Sequence, residues 1–259
     1  MDLGIAGRTA AVAAASSGLG FATALALAAE GVRVAVCGRD RARLEAAAAR
    51  IDGAVPLVAD VSTVAGATGF VDAATEALGH LDILVPNAGG PPPGTFASTP
   101  LEAYLPALEL NLLSTVAMCE AAVPAMCERG WGRVVAITSV TVRQPSPVLI
   151  LSNTARAGVT GFLKTLAVEV APRGVTVNSV QPGLHLTDRA RRLYGGGDDD
   201  RGDDDGGGGV AAAAAGVPTG VLGDPADFGA TVAFLCSVHA RFVVGAALPV
   251  DGGTYQGLQ

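Results

Sequence analysis

Seven short apolar runs recur along this chain, and most are separated by enough residues to hold one helix. The runs lie at 9–14, 32–37, 55–58, 83–85, 133–138, 176–180 and 247–250. Most are bounded by turn residues and too apolar to leave a wet face, as expected of strands covered by helices on both sides. Between them lie helical stretches at 18–30, 41–51, 65–78, 101–127, 149–171 and 225–237. Asp40 before Arg41 and Asp224 before Pro225 have the character of N-caps, the second with proline at the first helical position. Strand and crossover helix in regular alternation predict an α/β fold: one doubly wound parallel sheet of about seven strands with helices on both faces. A length of 259 residues suits a single domain, 1–259.

Composition narrows the function classes. Half of the residues are apolar, but Arg, Asp, Glu or Gly interrupts each apolar stretch, so no membrane span is expected. Met1-Asp2-Leu3 begins acidic and lacks the pattern of a signal peptide, which points to a cytoplasmic protein. Cys37, Cys119, Cys127 and Cys236 form no CxxC pair and have no accompanying His spacing, so buried thiols are expected rather than disulfides or a metal site. The net charge of −7 is concentrated: residues 198–205 hold six Asp and one Arg, which leaves −2 for the rest. Neither a nucleic-acid footprint nor a basic membrane-binding face is indicated. Lys164 is the single lysine, against sixteen Arg.

Residues 195–209 read GGGDDDRGDDDGGGG, a tract without apolar side chains to offset its ordering entropy. A flexible loop is expected, and the tract lacks the alternating ligands and terminal Glu of a calcium loop.

The first run leads through Ala13-Ala14-Ala15-Ser16-Ser17-Gly18-Leu19-Gly20 into a helix. A strand that turns sharply into a helix presents unpaired N–H groups and a partial positive charge to a pyrophosphate, and Gly18 and Gly20 allow close approach. The second run ends in Cys37-Gly38-Arg39, with no carboxylate placed to bind an adenosine ribose diol. Arg39 therefore favours a 2′-phosphate, and NADP(H) over NAD(H). Asp60-Val61, Asn87-Ala88-Gly89, Asn111, Ser139, Pro182-Gly183, Thr187 and Val250-Asp251-Gly252-Gly253 follow in order. Over residues 5–253 this succession resembles the short-chain dehydrogenase/reductase family, and its ketoacyl-thioester reductase branch in particular.

The resemblance implies a Rossmann-like fold. It implies that Ser16, Ser17, Gly18, Leu19 and Gly20 bind the pyrophosphate, that Asp60 and Val61 contact adenine, and that Asn87, Ala88 and Gly89 support the cofactor ribose. Pro182, Gly183 and Thr187 would hold the nicotinamide carboxamide, and region 188–222 would cover a small-molecule substrate. The family's long helices imply a homodimer or homotetramer built on 101–127 and 149–171. The first glycine of the family's turn is replaced by Ala14.

The catalytic positions depart from the family. Its Tyr and Lys fall on Ser152 and Arg156, while its Ser and Asn are kept as Ser139 and Asn111. A guanidinium is cationic and can reach ribose hydroxyls, but an aliphatic hydroxyl is a far weaker acid than a phenol. His185, beside the expected nicotinamide pocket, is the candidate replacement donor, with Tyr194 the weaker one. Three activities stay open: an NADP(H)-dependent oxidoreductase of ketones or secondary alcohols, including a 3-oxoacyl thioester; a non-redox lyase, cyclase or isomerase on the same scaffold; and a silent cofactor-binding protein.

Overall fold

The computed structural model describes residues 1–194 and 207–258. Seven strands, β1 (Thr9–Val12), β2 (Arg33–Gly38), β3 (Val55–Val58), β4 (Ile83–Val85), β5 (Gly132–Ile137), β6 (Val175–Pro182) and β7 (Ala247–Val250), form one sheet. Their order is β3-β2-β1-β4-β5-β6-β7 and every neighbouring pair is parallel. The doubly wound sheet anticipated from the alternation of runs is present.

Side chains alternate between two cores, which explains why the strands read as continuous apolar runs. Ala11, Cys37, Leu84 and Val134 face a core closed by α3 (Val64–Leu78), α5 (Ser114–Arg129) and α6 (Ile150–Val170). Their neighbours Val12, Val36, Val85 and Val135 face the opposite core, under α1 (Gly18–Ala29), α2 (Arg41–Ala48) and α9 (Pro225–Cys236). Both expected caps form: Asp40 accepts from the Arg43 N–H at 2.9 Å and Asp224 from the Ala226 N–H at 2.8 Å. Strand order reverses between β1 and β4, which opens a crevice at their carboxyl ends where ligands of such sheets bind.

Several expectations need correcting. The first strand stops at Val12, because Ala14 takes a left-handed backbone with φ of 46°. The helix expected over 101–127 is composite: a 3-10 turn at Leu101–Ala103, α4 (Tyr104–Leu108), a π-helical stretch at Glu109–Leu113, then α5. By length and composition alone the helix Leu101–Arg129 is long and apolar enough to cross a membrane, although Glu109 and Glu120 interrupt it. Half of its most apolar window is nevertheless buried within the protein, as in a core helix.

Region 188–222 contains α7 (Asp188–Tyr194) and α8 (Gly207–Ala215). Gly207–Gly209, expected to be loop, open α8, and the rest of the Gly/Asp tract, 195–206, lies outside the described residues. Cys37, Cys119 and Cys236 are buried and unpaired, and burial pushes each thiol up to about 12.

Candidate active site

The turn after β1 is held from three sides. Asn87, following β4, donates through Nδ2 to the carbonyls of Ala13 (3.2 Å) and Ala14 (3.4 Å). The Ala14 N–H donates to Cys37 Sγ at 3.4 Å and the Ala15 N–H to the Cys37 carbonyl at 2.8 Å. Gly20 packs so closely that a Cβ would lie 2.6 Å from the Ala14 oxygen and 2.8 Å from Asn87 Nδ2. Gly18 has φ of +61°, and across it lies the Thr187 side chain. Ser17 is the N-cap of α1 but its hydroxyl does not bond to the helix, which leaves the first-turn N–H groups facing the crevice. Ser16, Ser17, Gly18, Leu186 and Thr187 share one cavity of about 380 Å³, which continues along α1 to Arg50.

After β3, Val61 is buried in the sheet core while Asp60 accepts from the Ser62 N–H at 3.0 Å. Desolvation pushes the Asp60 carboxyl up, but the Ser62 hydrogen bonds and the Arg39 charge outweigh it and hold the group below its ordinary value. Arg43 on α2 donates through Nη2 to Ser17 Oγ at 2.8 Å, a link between the two nucleotide loops that the sequence reading missed.

Ser139 follows β5 and caps the 3-10 turn Val140–Val142. Its Oγ accepts from the Thr141 N–H at 3.2 Å and lies 3.0 Å from Thr141 Oγ1. Asn111 sits in the π-helical stretch, a local widening common at functional sites. Its Nδ2 donates to the Gly89 carbonyl at 2.8 Å, and its Oδ1 is buried without a hydrogen-bond partner. Ala88, beside Gly89, packs against the core under α5 and α6.

Ser152 and Arg156 lie one turn apart on α6, each 9% exposed. The Ser152 hydroxyl makes no hydrogen bond to the described residues. Arg156 Nη1 donates to the carbonyls of Ile137 (3.2 Å) and Thr138 (3.0 Å). These are the two residues immediately before Ser139, so this guanidinium is tied to the backbone that carries the retained hydroxyl.

Pro182 ends β6, and the Gly183 N–H donates to the Val250 carbonyl at 3.0 Å. A Cβ on Gly183 would strike Asp251 at 2.7 Å, so glycine is needed for β6 and the β7 turn to meet there. The Thr187 hydroxyl accepts from the Ala190 N–H at 3.3 Å and starts α7.

His185 stays next to the Pro182-Gly183 segment, with its ring turned inward. Its ring is 6% exposed, meets Phe228 edge-on at 5.2 Å, bonds through Nδ1 to the Gly183 carbonyl at 3.1 Å and would touch any side chain at Gly223. Burial lowers its pKa from 6.5, against the opposing pull of the Gly183 carbonyl and of Asp224, Asp227 and Asp251. These contacts pack His185 between its loop and α9.

A family model described as enoyl-(acyl carrier protein) reductase matches residues 13–255. The chain is 33% identical, over 98% of its length and 99% of the relative's, to the 3-oxoacyl-(acyl-carrier-protein) reductase FabG of Vibrio cholerae. It belongs to the short-chain dehydrogenase/reductase family. Among solved members, L-sorbose reductase from Gluconobacter frateurii, complexed with NADPH and L-sorbose, matches with a TM-score of 0.93 and 32% identity over 100% of both chains. A short-chain oxidoreductase of Pseudomonas aeruginosa PAO1, described as containing an atypical catalytic center, matches with a TM-score of 0.89 and 31% identity over 98% of this chain and 100% of that one.

Within this dehydrogenase/reductase scaffold, the cradle residues converge on the switch-point crevice, and Asn111 joins them through Gly89. Arg156 on α6 reaches the β5 backbone just before Ser139, and Ser152 lies one turn earlier on the same helix. Thr141 was legible only as a hydroxyl two residues after Ser139, a spacing that permits a local side-chain bond.

Proposed function

We propose that the protein is an NADP(H)-dependent oxidoreductase acting on a ketone or secondary alcohol, with a 3-oxoacyl thioester as the leading substrate class. The observation that carries this reading is the placement of Ser139 on the same carboxyl edge of the sheet as the cradle after β1, with its oxygen already accepting a backbone N–H. The residues present fit a dinucleotide: an uncapped helix N-terminus, the close turn at Gly18, and Thr187 across the crevice. Ser16 to Gly20 would hold the pyrophosphate, Asn87, Ala88 and Gly89 the inner ribose, and Pro182, Gly183 and Thr187 the carboxamide. When bound, the nicotinamide supplies or accepts the hydride.

Ser139 donates a hydrogen bond to the substrate oxygen as its charge develops. The Thr141 N–H and hydroxyl support the Ser139 oxygen as its proton is drawn away, and a proton passes back to Ser139 from solvent through Thr141. A newly formed alkoxide is basic enough to take a proton from water, so the missing phenol slows this chemistry without forbidding it. The expected loss is on the order of 10²–10⁴, the usual contribution of positioned acid–base catalysis. Arg156 acts as a positioning residue, fixing the 137–138 backbone, and the orphaned Oδ1 of Asn111 accepts from a relay water. Of region 188–222, the described helices α7 and α8 would cover the substrate. Exposed Leu101, Leu105 and Val168 offer apolar surface for assembly into a homodimer or homotetramer, and a single monomeric species in light scattering would refute that. Buried, unpaired cysteines suit a cytoplasmic location.

The test is titration of the purified protein with NADPH and NADH, followed by turnover with a panel of ketones, sugars and 3-oxoacyl thioesters. Cofactor binding with slow reduction, accelerated in Ser152→Tyr/Arg156→Lys, is the expected result. The absence of a phenol favours one second reading, a cofactor-binding protein without redox turnover. Tight NADPH binding with no reduction of any panel member, in the wild type or the double variant, would decide for it.

A further inference from the structure

Residues 140–149 connect Ser139 to α6, and the structure fastens them in two halves. Toward α6, Asn153 Nδ2 donates to the Ser146 carbonyl at 2.8 Å, and Gly94 exchanges backbone bonds with Val148 and Ile150 at 2.8 and 3.2 Å. Toward Ser139, the bonds of 140–142 stay within the 3-10 turn, and Arg143, half-buried at its end, carries the links to the sheet. Its Nε donates to Gln181 Oε1 on β6 at 2.7 Å and its Nη2 to the Ala247 carbonyl on β7 at 2.6 Å. The guanidinium also lies over the Tyr255 ring, 5.4 Å from its centroid.

No ion pair explains this arrangement. Arg143 takes part in no carboxylate ion pair among the described residues, and both of its hydrogen-bond acceptors are neutral. Gln181 is fully buried, with Oε1 spent on Arg143 and Nε2 left without a partner among the described residues. A buried amide with an unmet donor costs stability that an apolar side chain at the same place would not. What the pair supplies instead is geometry, because a charge-assisted bond from a planar guanidinium is short and directional. Val180, just before Gln181, pairs with Ile137 and accepts from the Thr138 N–H at 2.9 Å, so Gln181 stands level with the start of the Ser139 segment. Just after it comes Pro182-Gly183. Tyr255 belongs to the same shell, since its N–H donates to Asp251 at 2.7 Å and Asp251 abuts Gly183.

We infer that Arg143 is a positioning residue for Ser139, which it locks in register with the Pro182-Gly183 segment through Gln181, with the Tyr255 ring as backing. Arg156 holds the backbone before Ser139 and Arg143 the segment after it, so the hydroxyl is fixed from both sides. A displacement of about 1 Å at a reacting group can cost 10²-fold in rate, which is the scale on which such a brace acts. The inference rests on the reading of Ser139 as donor to the substrate oxygen and names the residue that aims it.

The test is single-turnover oxidation of NADPH with the ketone, sugar or 3-oxoacyl thioester that the wild type reduces best, beside NADPH titrations and melting curves. Arg143→Met should slow the reaction by about 10–100-fold with the NADPH Kd within about threefold, and kcat should change more than KM. Arg143→Lys should recover part of the loss. Gln181→Leu should also slow the reaction while leaving Tm unchanged or raising it, because it removes the unmet donor; a merely structural contact would move rate and Tm together. Gln181→Glu, which keeps an acceptor for Arg143, should retain more of the rate than Gln181→Leu. Arg143→Met/Gln181→Leu should be little slower than the slower single variant, as expected of two halves of one contact. Should Arg143→Met fail to fold, Gln181→Leu carries the test. Rates within about twofold of wild type in the folded variants, or a loss matched in the NADPH Kd, overturn this inference and leave the oxidoreductase reading standing. No reduction of any panel member by the wild type removes that reading, and the inference with it.

Discussion

The two ends of the crevice were built under different constraints. At the cofactor end the backbone does most of the work, through the turn after β1, the close packing of Gly20 and the carbonyls gathered by Asn87. Such a site tolerates altered side chains while its path is kept, and even Ala14 is accommodated at φ of 46° in place of a glycine. At the catalytic end the chemistry would depend on particular side chains, and there the chain carries Ser152 and Arg156 where the family resemblance implies a phenol and an ammonium. The scaffold has kept one retained hydroxyl, Ser139, and turned the new guanidinium into a brace on the backbone just before it. A backbone-built site can thus be inherited almost whole while a side-chain-built one is rewritten.

The contrast breaks most sharply at Ser139. Ser139→Ala should lower kcat by about 10²–10³, the cost of removing one donor to a developing oxyanion, with NADPH affinity within about twofold. Single-turnover kinetics beside a binding titration checks both, and a parallel loss of affinity would erase the division between the two ends.

Gly20→Val should do the reverse. Its side chain would meet the Ala14 oxygen and Asn87, so cofactor binding should fail and stability fall by about 1–3 kcal/mol, measured by urea denaturation. Arg156→Met should cost about 1–3 kcal/mol of stability by leaving the Ile137 and Thr138 carbonyls without their donor, and it should lower kcat more than it raises the NADPH Kd. A change confined to Kd would return Arg156 to the cofactor side of the comparison.

Two smaller effects sharpen it. Ala14→Gly should stabilise the protein by about 0.5–1 kcal/mol, since relief of the left-handed strain exceeds the added chain entropy of glycine. Differential scanning calorimetry reads that as a modest rise in Tm. His185, neutral in its packed site, has a folded pKa below its unfolded 6.5. The unfolded chain therefore binds its proton first, and stability should fall as pH drops from about 6.5 through the lowered value. His185→Leu should flatten that part of the Tm against pH curve without reducing turnover, whereas abolished turnover with intact NADPH binding would restore the imidazole as donor.

Much of the fold was legible in the sequence because it depends on periodicity and local caps. Asp40, Asp224 and the apolar runs behave in the structure as the pattern implies, and the order of Gly18, Gly20, Asn87 and Pro182-Gly183 located the crevice. Boundaries failed where tertiary packing set them: Ala14 leaves the strand to make the turn, and the helix around Asn111 widens into a π stretch. The direction of the His185 ring, toward Phe228, was not legible because neighbourhood along the chain does not reveal which way a ring points. Arg43 and Thr141 escaped notice because their partners, Ser17 and Ser139, are identified only by contact in space.

The sequence by itself determined the sheet and the order of the motifs along it, since these are properties of order and residue type. The tertiary structure alone decided where Ser152 and Arg156 lie and what Arg156 bonds. Whether a buried cation on α6 turns to a ribose or to the carbonyls of β5 depends on where the two elements pack, and packing is a property of the folded chain as a whole.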